Sequence, residues 1–460
     1  MSEKKNTFSS SIGFILAAAG SAVGLGNIWR FPYLAAKDGG GTFLLIYLIL
    51  ALSFGFTLLI TEISIGRKTK HSCLKAYGRL HSKFKWLGLL ASFVPFLIFP
   101  YYCLIGGWVL KYCTTYLAGH GIAASGDSYF NDYITGIYPP IIFFVIFLLA
   151  TSIVVYRGVN SGIEKLSKIL MPMLLILLLV IAIFSLTITG NEGRTGLDGL
   201  MIYLIPDVKS MTPGKVFHTL IDAMGQLFYS ISVAMGIMVT YGSYLKDDDN
   251  LVGDVNKIEI FDTVVAFLAG IMIIPAVFAF FGSEGMQNSG PGLMFATLPK
   301  VFTCMGRLGN VLGIVFFLMV LLAALTSSVS ILEAVVSCIM DYFKCSRKKA
   351  VIIETILGLV LGVFISLGYN VLNVNFKLPN GSTGQILDVF DYISNYILMP
   401  IVAISTCILI GWIVKPKTVI DEATKNGEKF GRRKLYLVMI KYITPVLLTI
   451  LLLGSFGVFN

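Results

Sequence analysis

Between residues 20 and 32 the chain reads GSAVGLGNIWRFP. Three glycines are followed at once by an amide, an indole and a guanidinium, all within an apolar stretch. Glycine costs about 1 kcal/mol against alanine inside a helix and lets the backbone leave helical geometry. In a membrane, an unwound turn frees carbonyl and amide groups that lipid cannot satisfy, so they must face protein, an ion or a substrate. Freed carbonyls, with the side-chain oxygens of Asn27 and Ser230, suit a hard cation such as sodium. Half-helix N-termini carry partial positive charge and suit a carboxylate. A second small, polar interruption, SISVAMG at 230–236, lies far along the chain. Together the two could hold a zwitterionic amino acid beside its coupling ion. Gly24 and Gly26 alone would also serve close helix packing. Asn27, Trp29 and Arg30 tip the balance, because a guanidinium in an apolar span has no good packing role. A dinucleotide fingerprint is excluded: Trp29 stands at the last glycine position and no βαβ unit surrounds it.

The elements that must position these residues follow from composition. Of 460 residues, 56% are hydrophobic and 13% charged, about half the charge of a soluble globule. Apolar runs at 44–60, 139–156 and 169–186 have the length that crosses roughly 30 Å of hydrocarbon. We expect an all-α membrane protein with eleven transmembrane helices, at about 11–36, 41–65, 87–118, 137–157, 163–189, 216–245, 257–281, 309–342, 348–369, 384–414 and 435–458. The glycine-containing segment 282–308 is expected to hold small helices that fold back as a lid. Ala17, Ala18 and Ala19 after Lys4 and Lys5 look like a signal-peptide cleavage region. That reading is rejected, since cleavage there would split the glycine motif. The two interrupted helices, the first and the sixth, sit five spans apart. This is the signature of a five-plus-five inverted repeat with unwound first and sixth helices. The whole chain, 1–460, then forms a single transporter domain: 1–189 is the first repeat, 216–414 the second, and 435–458 an additional helix.

Net charge is +10, but its distribution speaks for topology. The segments 66–86, 343–349 and 415–434 are rich in lysine and arginine and fall on one side of an eleven-span chain. On the other side, 370–383 carries only Lys377 and 119–136 carries neither residue. The basic side is the cytoplasm, which puts the N-terminus inside, the C-terminus outside, and leaves no role for nucleic acid. Seven cysteines without a CxxC pair argue against a disulfide framework or a zinc site; Cys113 and Cys304 could both lie outside. His71, His81, His120 and His218 form no base or ligand cluster, so the chain is not expected to be an enzyme. The Thr326-Ser327-Ser328 run inside an apolar span needs partners, either an ion or the carbonyls of its own helix.

The stretch GSAVGLGNIWRFPYLAAKDGGGTFLLIY (20–47) resembles the first helix and loop of the neurotransmitter:sodium symporters. The likeness continues with LITEISIGR (59–67), PYYCLIGGW (100–108), GQLFYSISVAMGIMVTYGSY (225–244), AALTSSVSILE (323–333) and LDVFDY (387–392). It covers essentially the whole chain and is nearest to bacterial amino acid carriers, some of which also stop after eleven helices. The resemblance implies two sodium sites. The first would use the Ala22 carbonyl, Asn27, Ser230, Asp262 and the substrate carboxylate. The second would use carbonyls of Gly20, Val23 and Ala323 with the hydroxyls of Thr326 and Ser327. Asp262 stands where many relatives have an amide. A fixed negative charge there would replace chloride, so chloride-independent transport is expected; a plain helix-entry charge is the alternative.

Gly24, an aspartate in monoamine carriers of the family, would leave room for the substrate's own carboxylate, to which Tyr102 would donate. Ala22, Gly26, Ile98, Tyr229, Ser230, Ser232, Ala234, Met235, Ser327 and Ile331 complete the implied substrate site. Alanine and flexible methionine there favour a bulky apolar or aromatic side chain. The resemblance further implies an outer gate of Arg30 and Asp391 above Tyr102 and Tyr229. The implied inner gate is Asp341 and Tyr244, with Lys4 or Lys5 in place of an absent arginine. Glu62 and Gln226 would brace the unwound segments. Gly162 and Pro172 form a Gly-x9-Pro spacing, at which local unwinding would open a water path to the second sodium. The expected function is sodium-coupled symport of a neutral amino acid by alternating access in a bacterial inner membrane, with no obligate protein partner. A proton-coupled carrier of the same architecture, a passive channel and a sensor without transport are the competing classes.

Overall fold

The computed structural model describes residues 7–207, 211–285 and 290–459. Nine helices among the described residues are long and apolar enough to cross a membrane. They are α3 (Gly41–Thr69), α4 (Ser82–Leu117), α5 (Tyr138–Tyr156), α6 (Val159–Leu186), α9 (Leu251–Gly285), α10 (Arg307–Phe343), α11 (Arg347–Leu367), α12 (Ile386–Ile413) and α13 (Arg433–Ser455). A bent pair, α1 (Ser11–Ala22) and α2 (Leu25–Lys37), makes a tenth with a 53° bend at its break. The place of the expected sixth span is held by two pieces, α7 (Pro213–Ser230) and α8 (Ile237–Ser243). Neither passes as a span: α7 carries Lys215, His218 and Asp222, and α8 is seven residues long.

Both breaks fall at the glycine and small-residue motifs. The first helix closes with Val23 N–H donating to the Ala19 carbonyl at 2.7 Å, after which Val23 and Gly24 are extended. In the second break Ser232, Ala234 and Gly236 all take left-handed φ values of 54°, 61° and 72°. Two of these are not glycine, so the surrounding packing must over-determine a backbone that costs of order 1–3 kcal/mol per residue. The broken pairs sit inside the bundle: α1 packs on α6, α9 and α10, and α7 packs on α2 and α3. α5, α6 and α11 lie further out, with 39% of each apolar window buried.

Several connections carry structure that the apolar pattern did not suggest. The 66–86 connection folds a helix at Cys73–Leu80, 190–215 one at Gly196–Leu204, and 415–434 one at Lys417–Ala423. A small antiparallel ladder pairs Phe376–Lys377 with Thr383–Gly384. The expected lid is present in its described part: Leu293–Thr297 and Leu298–Cys304 are helical, and Phe295 is buried against Tyr112, Phe130 and Phe317. Residues 286–289 lie outside the described residues. Cys113 is buried, Cys304 exposed, and both are free thiols. In this conformation the Gly162–Pro172 segment is wound throughout: Gly162 lies in a π-helical turn, Val159–Glu164, and Pro172 lies inside the α-helix that follows.

Candidate ion and substrate site

The two breaks meet at mid-chain of the bundle, and the side chains singled out from the sequence converge there. Asn27, in the first turn of α2, donates from Nδ2 to Asp262 Oδ1 at 2.9 Å. Ser230, the last residue of α7, donates to the same oxygen at 2.9 Å and lies 3.1 Å from Asn27 Oδ1. All three are buried. The other carboxylate oxygen, Asp262 Oδ2, is buried without a hydrogen-bond partner among the described residues. Asp262 therefore lies well inside α9 and touches both broken helices, which a plain helix-entry charge would not do. The donor set fits a hard cation: one unsatisfied carboxylate oxygen, an amide oxygen and a hydroxyl.

A second cluster joins α1 to α10. The Ser327 hydroxyl lies 3.2 Å from the Gly20 and Ser21 carbonyls and 3.3 Å from that of Val23. A hydroxyl has one proton, so it satisfies at most one of the three at a time. The Ser21 carbonyl also accepts from the Ser232 hydroxyl at 2.9 Å, which leaves the Gly20 and Val23 carbonyls as acceptors open to a cation. Thr326 divides from this pattern: its hydroxyl bonds back to the Leu322 and Ala323 carbonyls at 3.1 and 3.0 Å, the local alternative open to a helical threonine. Thr326 thus takes the local alternative, while its neighbour Ser327 reaches across to the carbonyls of α1. No group of three or more His, Cys, Asp and Glu that could hold a metal occurs among the described residues; the oxygens here come mostly from backbone and hydroxyl groups.

Between the clusters lies a small cavity lined by Ala22, Gly24, Gly26, Ile98, Tyr102, Tyr229, Ser230, Ser232, Met235, Ser327 and Ile331, with Ser21, Leu25 and Asn27. Of the expected substrate residues, Ala234 is the one placed elsewhere. Its N–H donates to Glu62 Oε1 at 2.6 Å, and its left-handed φ turns it toward α3. Gly24 is needed for room: a Cβ there would stand 3.1 Å from both Ser327 Oγ and the Tyr102 hydroxyl. A Cβ at Gly26 would stand 3.0 Å from the Tyr229 ring. The cavity measures about 30 Å³, far below the roughly 300 Å³ or more of ligand sites, so Tyr229 and Met235 must move for an amino acid to enter. Gln226 Nε2 donates to the Gly26 carbonyl at 3.1 Å, which braces one break as Glu62 braces the other.

The expected gate residues have other partners in this conformation. No ion pair joins Arg30 to Asp391 among the described residues. Asp391 accepts from Asn395 Nδ2 at 2.6 Å and from the Tyr101 hydroxyl at 3.3 Å. Arg30 instead lines an outer cavity of about 700 Å³ with Lys37, Asp222, Tyr229 and Tyr396. Asn395 stands one turn after Asp391. On the opposite side Tyr244 donates to Glu333 Oε1 at 2.5 Å, and Arg347 grips both oxygens of Glu333 at 2.5 and 2.9 Å. Asp341 accepts the Ser72 N–H at 2.8 Å, and Lys75 bonds the Asp341 carbonyl. Tyr244 and Asp341 thus have separate partners, Glu333 for the first and Ser72 and Lys75 for the second. Lys4 and Lys5 lie outside the described residues. Glu333 and Arg347 were missed in the sequence because Arg347 reads as one of many loop cations; a carboxylate inside an apolar span was the available signal.

The comparisons with known proteins agree with this geometry. The model of the sodium:neurotransmitter symporter family matches residues 5–131 and 140–460. The chain is 32% identical over 469 residues to YhdH, an uncharacterized sodium-dependent transporter of Bacillus subtilis, with all of both chains covered. It is 25% identical over 460 residues to the human sodium- and chloride-dependent taurine transporter, covering 89% of this chain and 72% of that one. The crystal structure of MhsT in complex with L-phenylalanine superposes with a TM-score of 0.86 at 35% identity, covering 98% of this chain and 100% of that one. The chain therefore belongs to the sodium:neurotransmitter symporter family, as a multi-pass, sodium-coupled transporter of inverted-repeat architecture and not an enzyme.

Proposed function

We propose that the chain is a chloride-independent symporter of sodium and a neutral amino acid with a bulky hydrophobic or aromatic side chain, working by alternating access. The observation that carries this reading is Asp262. Its buried carboxylate bonds to Asn27 and Ser230, one residue from each broken helix, and keeps one oxygen unsatisfied. A fixed negative charge beside a sodium ion neutralises it and leaves no electrostatic need for chloride. The Ala22 carbonyl, Asn27, Ser230, Asp262 and the substrate carboxylate would hold the first sodium. Carbonyls of Gly20, Val23 and Ala323 with Ser327, and Thr326 once its hydroxyl turns, would hold the second. Sodium supplies charge neutralisation for the amino acid carboxylate; the chain's own contribution is to shape and dry the cradle. Tyr102, whose hydroxyl lies 3.5 Å from the Leu25 N–H, is positioned to meet that carboxylate. Ile98, Ile331, Tyr229 and Met235 supply apolar surface for the side chain, and MhsT, the similar protein of known structure, was crystallised with L-phenylalanine.

The chain is a multi-pass protein of the bacterial inner membrane. Its two repeats are 1–189 and 216–414, with its N-terminus cytoplasmic and its C-terminus outside, as the basic segments direct. The test is uptake of a panel of labelled amino acids into proteoliposomes, with sodium against choline and chloride against gluconate. Accumulation of aromatic and branched substrates that needs sodium and ignores chloride is expected. Uptake that merely follows the substrate gradient, or that collapses in gluconate, would refute the assignment.

A further inference from the structure

One ionisable side chain inside the membrane region has no part in the ion and substrate site. Glu354 lies in α11, is 1% exposed, and has both carboxyl oxygens buried with no hydrogen-bond partner among the described residues. Each other buried glutamate has at least one partner: Glu62 the Ala234 N–H, Glu164 Ser9 and Lys168, Glu259 Arg432, Glu333 Arg347 and Tyr244, and Glu422 Arg67. The stripe of α11 that carries Glu354 continues with Gly358 and Gly362. A Cβ at Gly358 would stand 2.8 Å from the Phe99 ring, and one at Gly362 2.1 Å from the Phe144 ring. Glu354 therefore sits one turn along from the closest approach of α11 to α4 and α5. The hydroxyls of that junction are committed elsewhere. Thr151 bonds the Phe147 carbonyl at 3.0 Å and Ser328 at 2.9 Å, and Thr355 bonds Ser152 at 2.9 Å.

A bare carboxylate in such a place costs far more than the packing can return, and an ionisable group deep in a span is a functional site by default. A metal cation would need several converging oxygens, and none converge here. A proton needs only one. We propose that Glu354 is a proton-binding site that must stay loaded for transport, and that it is emptied at alkaline pH, when α4, α5 and α11 separate enough to admit water. The titratable group facing it from α4 is the Cys103 thiol. α5 carries titratable side chains only at its two ends, Tyr138 and Tyr156, and its nearest charge is Arg157 beyond its end. From α10 the nearest charge is Glu333, neutralised by Arg347, which lies two turns away along α11, about 10 Å. The short helix Ile386–Asp391 meets α11 and carries Asp388 and Asp391. The junction also reaches the second ion cluster through one residue: Ser328, bonded to Thr151, follows Ser327 directly. The loaded form holds the α4–α5–α11 contact, and loss of the proton opens it. Transport should therefore be present at low pH and lost as pH rises.

The test is sodium-driven uptake into proteoliposomes across a symmetric pH series for the wild type, E354Q and E354L. The wild-type rate should fall about tenfold per pH unit beyond its alkaline midpoint, the slope of a single proton site, and both permanently neutral variants should lose that limb. A flat wild-type profile, or an E354Q profile with the same alkaline limb, would overturn the assignment. Should the variants fail to fold, infrared spectra of glutamate-labelled wild type should show a protonated carboxyl band at neutral pH, and its absence would overturn the assignment equally. That spectrum does not depend on which substrate is carried, so it separates failure of this site from failure of the symport reading.

Discussion

Replacing Asp262 by asparagine keeps the shape of the first ion cluster and removes its charge. The structure allows the cost to be worked out. Asp262 Oδ1 accepts two hydrogen bonds at 2.9 Å, from Asn27 and Ser230. Exchanging a charged acceptor for a neutral one lowers each by about 1 kcal/mol. Loss of the carboxylate charge facing a sodium ion costs about 4 kcal/mol at 4 Å and an effective dielectric of 20. Against this, the asparagine no longer carries the several-kcal/mol desolvation penalty of a buried carboxylate. A net loss of about 3 kcal/mol remains, or a weakening of sodium affinity by about two orders of magnitude. The assay is the sodium concentration for half-maximal uptake, measured with and without chloride. D262N should need about a hundredfold more sodium and should respond to chloride, while D262E should keep the wild-type indifference to chloride. A D262N protein with unchanged sodium dependence would refute the argument that this carboxylate neutralises the ion.

Two further substitutions test the rest of the site. Gly24→Ala places a methyl 3.1 Å from both Ser327 Oγ and the Tyr102 hydroxyl, where the substrate carboxylate is expected to reach sodium. It should raise the half-saturating amino acid concentration at least tenfold, an order-of-magnitude figure for one misplaced polar contact, with expression and folding intact; equal affinity would place the carboxylate elsewhere. Glu333→Gln leaves Arg347 buried without its bidentate partner and weakens the Tyr244 bond. Breaking such a pair from one side costs about 3–5 kcal/mol, to be read as a lowered unfolding temperature in detergent, and an unchanged temperature would show that the pair is not holding the inner side.

Both breaks could be read from the sequence, the first because glycines and a guanidinium in an apolar run conflict with a simple spanning helix, the second because SISVAMG is small and polar. Asn27, Ser230 and Asp262 followed from the family resemblance and are found touching. The geometry of the second break was less legible. Ser232 and Ala234 take left-handed φ values that their residue types do not announce, and this turns Ala234 toward Glu62 and out of the cavity. The short helix Cys73–Leu80 was hidden in a basic segment, since charge density there reports topology and masks amphipathic periodicity. The Asn395 contact to Asp391 was not legible, because pairing Arg30 with Asp391 treats opposite charges as mutual partners, whereas in this conformation an amide one turn away bonds the carboxylate.

These contacts are distributed unequally between the two sides, and that bears on alternation. The outer side holds a cavity of about 700 Å³ and no Arg30–Asp391 bond. The inner side is tied by the Phe8 N–H to the Tyr244 carbonyl at 3.2 Å, by Ser9 to Glu164, and by Tyr244 and Arg347 to Glu333. The chain leading into α1 is thus held at its N-terminal end by the end of α8 and by α6, and at its break by Ser327 of α10. A sodium ion shared between the Gly20 and Val23 carbonyls and Ser327 would strengthen the second hold and leave the first untouched. Inward opening must therefore release both, and departure of the second sodium removes only one. The energy for the other has to come from the substrate, because a ligand moves a conformational equilibrium only by the difference in its affinity for the two states. The cavity of 30 Å³, which must expand to admit an amino acid, is where that difference would arise.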